Sequence, residues 1–219
     1  MQAIAFALVL STASGAVGLE ATVSGTVTDS TGSESAHALV QAMLRTKSES
    51  GGIVGDHPNP WIEADDHGRF RIDLPPGRYK FLAKNEIDGY PDPIFLLNSD
   101  ETATFPEVTV SQKHLSGVRV TLGRRGGVLE GELIDQRSRE PIPRCKIMIR
   151  DARNPDAYVE VFADQAGHFR FAIPSKPVLI SATAPGYKTT KIAKSELMLS
   201  GGEHRSIGLR LEAEGCKLG

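Results

Sequence analysis

Apolar and polar residues alternate in one stretch of the first half of the chain, residues 65–81. Phe70, Ile72 and Leu74 occupy alternate positions between charged residues, which is typical of a strand with one buried and one solvated face. Gly68 before this strand and a Pro-Pro-Gly segment after it are turn residues, and the alternation then restarts. The pattern therefore predicts a hairpin-like unit of turn, strand, turn and strand.

A second copy of this unit follows about a hundred residues later, at 163–174. Asp164, Gly167 and Phe169 repeat the Asp, Gly and Phe of the first copy, and the alternation is kept. Elsewhere the chain consists of short apolar strands between Gly, Pro, Asp and Ser residues, without convincing amphipathic helices. Strands at this spacing predict an all-β fold of antiparallel β-sandwiches. The architecture is interpreted as a duplicated β module.

Length and composition set the predicted domain boundaries. The 219 residues fit two domains of about a hundred residues each, and 40% hydrophobic with 24% charged residues is a globular composition. We place the first sandwich at 21–122 and the second at 128–213. The glycine-rich segment 123–127 is predicted to be a hinge. Modules of this size need neither a metal nor a disulfide to fold.

The motifs resemble those of the carboxypeptidase regulatory-like domain, a transthyretin-like β-sandwich common in exported bacterial proteins. The resemblance covers nearly all of the chain after its first twenty residues and implies a prealbumin-like, Greek-key fold for each of two tandem domains. It implies no activity, because the matched residues are turn and core positions. The matching segments are D-x-x-G-x-F at 65–70 and 164–169, L-P-x-G-x-Y at 74–79, A-P-G-Y at 184–187, and β-Gly-β openings at 23–27 and 129–133.

The N-terminal residues predict export. Residues 3–10 form an apolar run and residues 11–16 are small. As a helix the apolar core would be about 12 Å long against a hydrocarbon thickness of about 30 Å, which suits a signal peptide. We expect residues 1–18 to be that signal and the mature chain to be periplasmic, extracellular or cell-surface, without a membrane span. Because no Lys or Arg follows Met1, an uncleaved anchor is the alternative.

Charge and motif content exclude several classes of function. The formal net charge of −2 gives no electrostatic reason for a nucleic-acid partner. The chain has no phosphate-binding glycine loop and no nucleophile elbow. We therefore expect no catalytic residues, no cofactor and no metal site. The six histidines are scattered without a zinc-hydrolase pattern: His37, His57, His67, His114, His168 and His204.

Carboxylates in the turns allow one alternative to the absence of metal. Asp65 and Asp66, with Asp56 and Asp73, could supply oxygen ligands to calcium. Asp is also common in turns because its carboxylate accepts hydrogen bonds from nearby backbone amides. The spacing does not match a known calcium loop, which favours the turn role.

A long polar connection covers residues 47–60, and its part at 51–60 is the predicted ligand loop of the first module. Loops on rigid sandwiches often carry recognition, and this one is longer than a usual strand connection. Asp56, His57 and Trp61 are the candidate ligand residues. The alternative for Trp61 is packing at a strand edge.

Cys145 and Cys216 are the only cysteines. An exported chain with two cysteines allows a disulfide between them. Cys145 shares a strand face with Ile147 and Ile149, so we expect it to point inward. A buried, unpaired Cys145 is the alternative to the bridge.

These observations predict an exported, non-enzymatic structural, adhesive or interaction module at the cell envelope. Its expected partner is an envelope protein or a glycan. The alternative is a carbohydrate-binding module that presents loops of the first sandwich to a glycan. A small hydrolase is the third hypothesis, and nothing in the sequence gathers the acid, base and nucleophile that it needs.

Overall fold

The computed structural model describes residues 20–47, 53–97, 102–191 and 196–214. The predicted signal peptide at 1–18 and Cys216 lie outside these residues. In the described part of the chain the regular elements are strands and one short 3₁₀ helix, Pro93–Phe95. No helix in these ranges is long and apolar enough to cross a membrane.

The first module packs a three-stranded sheet, in the order β5-β1-β8, against a sheet in the order β3-β2-β6-β7, with β4 also paired to β2. The first sheet consists of β5 (Arg69–Leu74), β1 (Ala21–Thr28) and β8 (Leu115–Thr121). The second consists of β3 (Ile53–Pro58), β2 (Leu39–Lys47), β6 (Gly77–Lys84), β7 (Glu107–Val110) and the short β4 (Ile62–Glu63).

The second module repeats this arrangement with sheets in the orders β12-β9-β15 and β11-β10-β13-β14. The three-stranded sheet consists of β12 (His168–Ile173), β9 (Gly127–Asp135) and β15 (His204–Leu211). The other sheet consists of β11 (Tyr158–Phe162), β10 (Lys146–Asp151), β13 (Val178–Thr183) and β14 (Thr190–Lys191). The predicted all-β fold of two sandwiches is confirmed.

Each module has one parallel strand pair in an otherwise antiparallel arrangement. The first strand of the module lies beside its last strand in the same direction: β1 pairs with β8, and β9 pairs with β15. Between these two strands the chain passes through the other sheet before it returns, which permits the parallel pairing. This feature refines the expectation of purely antiparallel sandwiches.

Buried apolar side chains form two clusters, one in each module. The first contains Phe70, Tyr79 and Phe81, at most 4% exposed, with apolar residues between 21 and 122. The second draws on residues 129–211 and includes Phe169. It also contains Phe95, which belongs to the first module by sequence. The alternation predicted around Phe70 therefore places the correct side chains inside.

The predicted hairpin pairing around residues 65–81 is wrong. Strands β4 and β5 on either side of Gly68 pair with β2 and β1, in different sheets, and β6 belongs to the sheet of β2. Both turns therefore carry the chain across the sandwich. A period of two identifies the buried face of a strand, but it does not identify the neighbouring strand.

The D-x-x-G turns have the same geometry in both modules. The Oδ1 atom of Asp65 accepts the backbone N–H groups of His67 and Arg69, each at 2.8 Å. Asp164 accepts two N–H groups in the same way. Gly68 and Gly167 follow with φ of +66° and +76°, where glycine is favoured. The carboxylates therefore stabilise turns.

The β-Gly-β segments are explained by close packing under an aromatic ring. Gly25 of β1 lies opposite Phe70 of β5, and a Cβ atom on Gly25 would lie 2.1 Å from the carbonyl oxygen of Val118 and 2.6 Å from the Phe70 ring. Gly131 and Phe169 form the matching pair in the second module. Glycine at these two positions allows the three strands to approach one another beneath the ring.

Candidate functional site

Side-chain and backbone contacts join the two modules where they meet. The segment 85–97, which we call the connector, leaves β6 of the first module and carries the 3₁₀ helix to the second. Asn85 anchors its start: the side chain is 3% exposed and its Nδ2 donates to the Ser35 hydroxyl, the Ala36 carbonyl and the Asp88 carboxylate. The connector is therefore held by the first module at its base.

The tip of the connector is buried in the second module. Pro93 begins the 3₁₀ helix, and the Asp92 carboxylate caps it by accepting the N–H of Ile94 at 3.1 Å. This turn places Phe95, which is 1% exposed, in the hydrophobic cluster of the second sandwich. This insertion was not predicted from the sequence. The apolar run Ile94 to Leu97, which does not alternate like a strand, was the available signal.

A charged pair closes over the inserted ring. Lys176 Nζ donates to the Phe95 carbonyl oxygen at 2.7 Å and lies 2.6 Å from Oδ2 of Asp151. Burial raises the pKa of Asp151, but the Lys176 ammonium and the N–H groups of Arg153 and Asn154 outweigh it, so the pKa lies below its ordinary value of 3.8. Asp151 is thus a carboxylate that holds Lys176 against a backbone carbonyl of the first module.

The predicted hinge at 123–127 makes close contacts with both modules in the structure. The N–H of Gly126 donates to the carbonyl of Gly89 in the connector at 2.7 Å, and the carbonyl of Gly126 accepts the N–H of Gly202 at 2.8 Å. Gly126 is buried, and a Cβ atom there would lie 1.9 Å from the carbonyl oxygen of Ile173. Glycine at position 126 therefore permits close packing, whereas flexibility of this segment stays a prediction.

Two arginines add contacts across the junction. Arg125 Nε donates to the carbonyl of Asp88, and Arg170 Nη2 donates to the carbonyl of Ile87 at 3.1 Å. Both carbonyls belong to the connector. Both arginines follow the last strand of the first module, β8, in the sequence. The bond from Arg125 was not predicted from the sequence.

The predicted ligand residues of the first module do not lie together in a loop. Asp56 and His57 belong to strand β3, which pairs with the edge of β2, so the loop assigned to residues 47–60 contains a strand. Their side chains lie outside the described part of the structure. Trp61 is half-buried with Lys84 Nζ 5.0 Å from its ring centroid. Their role in binding stays a prediction.

Cys145 is buried, as its strand phase predicted, and its Sγ atom lies 3.3 Å from the carbonyl oxygen of Thr183. Burial raises the pKa of its thiol, and the Thr183 backbone partly offsets that effect. Because Cys216 lies outside the described residues, the disulfide between them stays a prediction.

His37 and His67 lie in exposed turns and contact nearby carboxylates. His37 lies 2.8 Å from Glu63 through Nδ1 and 3.0 Å from Asp66 through Nε2, and His67 lies 3.4 Å from Glu34. Within ranges 20–47, 53–97, 102–191 and 196–214, no group of three or more His, Cys, Asp or Glu residues is arranged to hold a metal ion. Asp66 contacts His37, and the Asp65 carboxylate stabilises its turn by accepting two backbone N–H groups.

Neither the protein-family models nor the curated proteins contain a match to this chain. Solved structures do match. The Bacillus anthracis TIE protein is 17% identical, with 89% of this chain and 34% of that chain covered at a TM-score of 0.36. The minor pilin GBS52 of Streptococcus agalactiae is 11% identical, covering 89% and 97% at 0.34. The shaft pilin SpaA of Lactobacillus rhamnosus GG is 11% identical, covering 90% and 98% at 0.33.

The chain thus spans about a third of the length of the Bacillus anthracis protein. Similarity at this level identifies no family, and the resemblance to carboxypeptidase regulatory-like domains stays a prediction from the motifs.

Proposed function

We propose that this chain is a non-enzymatic structural protein of the cell envelope that holds its exposed loops and its attachment points at a fixed separation. The observation that carries the proposal is the junction, where Phe95 of the first module is buried in the core of the second. A recognition module on a flexible linker needs no such insertion. The envelope location rests on the signal peptide predicted at residues 1–18. The proposed partner is an envelope protein or a glycan.

The junction contacts resist bending in a way that a glycine linker alone does not. Burial of an aromatic ring contributes about 1.5–3 kcal/mol, and each hydrogen bond between a charged donor and a carbonyl about 1.5–3 kcal/mol. Lys176 and Gly126 contact different residues of the connector, Phe95 and Gly89, so a change in the angle between the modules breaks several contacts together. The two sandwiches therefore behave as one body.

The parallel terminal strands support a role under tension. A pull on the two ends of a module loads β1 against β8, or β9 against β15, along the strand direction. In that geometry the hydrogen bonds of the ladder share the load, whereas a pull perpendicular to the strands breaks them one after another. Each module therefore resists extension between its own ends.

Force spectroscopy on the full chain, held by its two ends, tests this proposal. We expect two large unfolding events of similar force and little extension before the first one. As a matched control, the same chain pulled from a cysteine at Lys113 and its C-terminus leaves the β1–β8 ladder unloaded, so only one such event is expected. The load-bearing role would be overturned if either module, pulled from the two ends of the chain, unfolded at a force no greater than the first module needs in the control geometry.

A further inference from the structure

Strand β11 (Tyr158–Phe162) lies at the edge of the larger sheet of the second module. It pairs with β10 on one side, and no strand in the described part of the chain pairs with it on the other. Its side chains alternate, with Val159 and Val161 half-buried against the core and the other three exposed on the outer face of the sheet. The second side of β11 is therefore an open sheet edge.

The backbone groups of β11 alternate in the same way. In an antiparallel ladder only every second residue exchanges hydrogen bonds with a given neighbouring strand. The N–H of Ala163 donates to the carbonyl of Cys145 at 2.9 Å, and this phase assigns the valines of β11 to the ladder with β10. The N–H and carbonyl groups of the residues with exposed side chains therefore point off the sheet edge, where another strand can bond to them.

The other sheet edges of the described chain carry features that hinder the addition of a strand. Natural proteins shield edge strands with basic side chains, proline, irregular pairing or short length. Strands β5, β8, β12 and β15 each contain arginine, and β4 and β14 have only two residues each. Strand β3 ends in Pro58 and pairs irregularly with β2, and β7 is four residues long without an aromatic residue. Strand β11 pairs in regular register and contains no basic residue, proline or glycine, so it is the least shielded of these edges.

Aromatic side chains lie at both ends of β11 on the outer face. Tyr158 is 47% exposed and Phe162 is 61% exposed. The Arg150 guanidinium lies 5.7 Å from the centroid of the Tyr158 ring, and Lys146 Nζ lies 3.0 Å from Oε1 of Glu160. Aromatic and β-branched side chains on neighbouring strands stabilise each other by contact. A strand laid along this edge therefore buries both exposed rings in addition to bonding the backbone.

Glu160 lies at the centre of the edge and restricts what can pair with it. If two copies of β11 paired antiparallel with all their outward backbone groups bonded, Glu160 would lie opposite Glu160 of the second copy. Like charges directly opposite each other are destabilising. Lys146 contacts Glu160 from the neighbouring strand but leaves its side chain 36% exposed. The edge is therefore complementary to a strand with a basic residue at its centre rather than to a second β11.

We propose that β11 binds an extended segment of a partner protein as an added antiparallel strand. The segment has Lys or Arg beside Glu160 and apolar residues beside Tyr158 and Phe162. Backbone hydrogen bonds supply the affinity, and side chains at alternate positions supply the specificity. This binding goes beyond the proposed structural role. It does not depend on the stiffness of the junction, because none of the junction hydrogen bonds involves β11.

A synthetic peptide titrated into the full chain tests the proposal. The probe is Thr-Val-Thr-Lys-Thr-Val-Thr, acetylated and amidated, in which the lysine and both valines share one face of a strand. Hydrogen exchange followed by NMR should become slower at the backbone amides of Tyr158, Glu160 and Phe162. The amides of Val159 and Val161 already bond to β10, so their exchange should change little and they serve as internal controls.

The charge preference is tested by exchanging the central residues. The same peptide with Glu at its centre should bind the parent chain about tenfold more weakly, and Glu160→Lys should reverse the preference. Glu132→Lys changes an exposed glutamate of the central strand β9 and is the matched control, which should keep the preference of the parent chain.

The outward backbone groups are tested by a proline. Glu160→Pro removes an N–H that points off the sheet and none that bonds to β10, a position at which edge strands accept proline. It should abolish the protection of the neighbouring outward amides by the peptide. If this variant does not fold, the reversal expected for Glu160→Lys still decides.

Unchanged exchange at the outward amides, up to the solubility limit of the peptide, would overturn the proposal. Equal affinity of the Lys and Glu peptides for both the parent chain and Glu160→Lys would also overturn it. Protection of the same amides in the parent chain alone as its concentration rises would assign the edge to a second copy and contradict the proposed partner.

Discussion

The two modules share their inward-facing residues and differ in their outward-facing ones. Gly25 and Gly131 lie under Phe70 and Phe169 in the same way, and matched aspartates stabilise the turns before both aromatics. On the outer faces, Thr26 and Arg119 correspond to Glu132 and Gly208. Packing restricts the inner positions, whereas solvent tolerates change at the outer ones. The outward-facing residues that differ between the modules are therefore better candidates for functional roles than the shared inward-facing ones.

The largest expected effect tests the equivalence of the two cores. Phe70→Ala and Phe169→Ala each remove a ring that is at most 5% exposed, and each should lower the free energy of unfolding by about 3–5 kcal/mol. Denaturant unfolding of the full chain measures it. Phe162→Ala, which truncates an exposed ring, should cost less than about 1 kcal/mol. A much smaller loss for one buried phenylalanine would show that the cores are not equivalent.

The junction is asymmetric, because the first module supplies a residue to the core of the second. Phe95→Ala should therefore destabilise the second module, by about 1.5–3 kcal/mol from the lost burial. Hydrogen exchange of the backbone amides in β10 and β13 would report the loss of protection there. Ile94→Ala, on a neighbouring side chain that is 37% exposed, is the matched control and should change little. Loss of protection confined to β1 and β5 would contradict the insertion.

The charged pair at the junction should give the second module a specific acid dependence. The folded pKa of Asp151 lies below its ordinary value of 3.8, so the stability it contributes is complete above that pH and is lost as the pH falls below it. Asp151→Asn should cost about 1–3 kcal/mol at neutral pH. Melting temperatures from pH 7 to pH 3 should show the gap between parent and variant closing below about 3.8. If the difference in melting temperature between the parent chain and Asp151→Asn stayed constant over this pH range, the ionised Asp151 would not stabilise the junction.

The smallest expected effects come from the turn aspartates. Asp65→Ala and Asp164→Ala each leave two backbone N–H groups without their acceptor, and each should lower the melting temperature by less than either core phenylalanine variant. Asn in place of Asp keeps an acceptor oxygen, so Asp65→Asn and Asp164→Asn should lose less. If calcium raised the melting temperature of the parent but not of Asp65→Asn, the turn would have a metal-binding role as well.

Local pattern was sufficient to predict the strands and the buried faces. The alternation around Phe70 and Phe169 identifies side chains that are buried, and the strand phase of Cys145 places it correctly inside. The partners of the strands were not predictable in the same way. The turn at Gly68 looks like a hairpin in the sequence, yet its two strands join different sheets, because pairing depends on contacts far away in the chain.

The junction shows the same limit. Phe95 follows no strand or helix period, and its burial depends on a cavity made by the other module. In the sequence, glycine at position 126 suggests flexibility. In the structure, glycine is required at this position because a Cβ atom would clash with the carbonyl oxygen of Ile173. A glycine-rich segment therefore predicts either motion or close packing, and only tertiary contacts distinguish the two.

The central claim is that the junction holds both modules in one arrangement, and a distance measured across it tests this most directly. Spin labels at cysteines replacing the exposed Lys113 and Gln136, with Cys216 changed to Ser and the buried Cys145 retained, report that distance by double electron–electron resonance. We expect one narrow distance in the parent chain and a broad distribution in a Phe95→Ala, Lys176→Ala variant. A broad distribution in the parent chain itself would contradict the account.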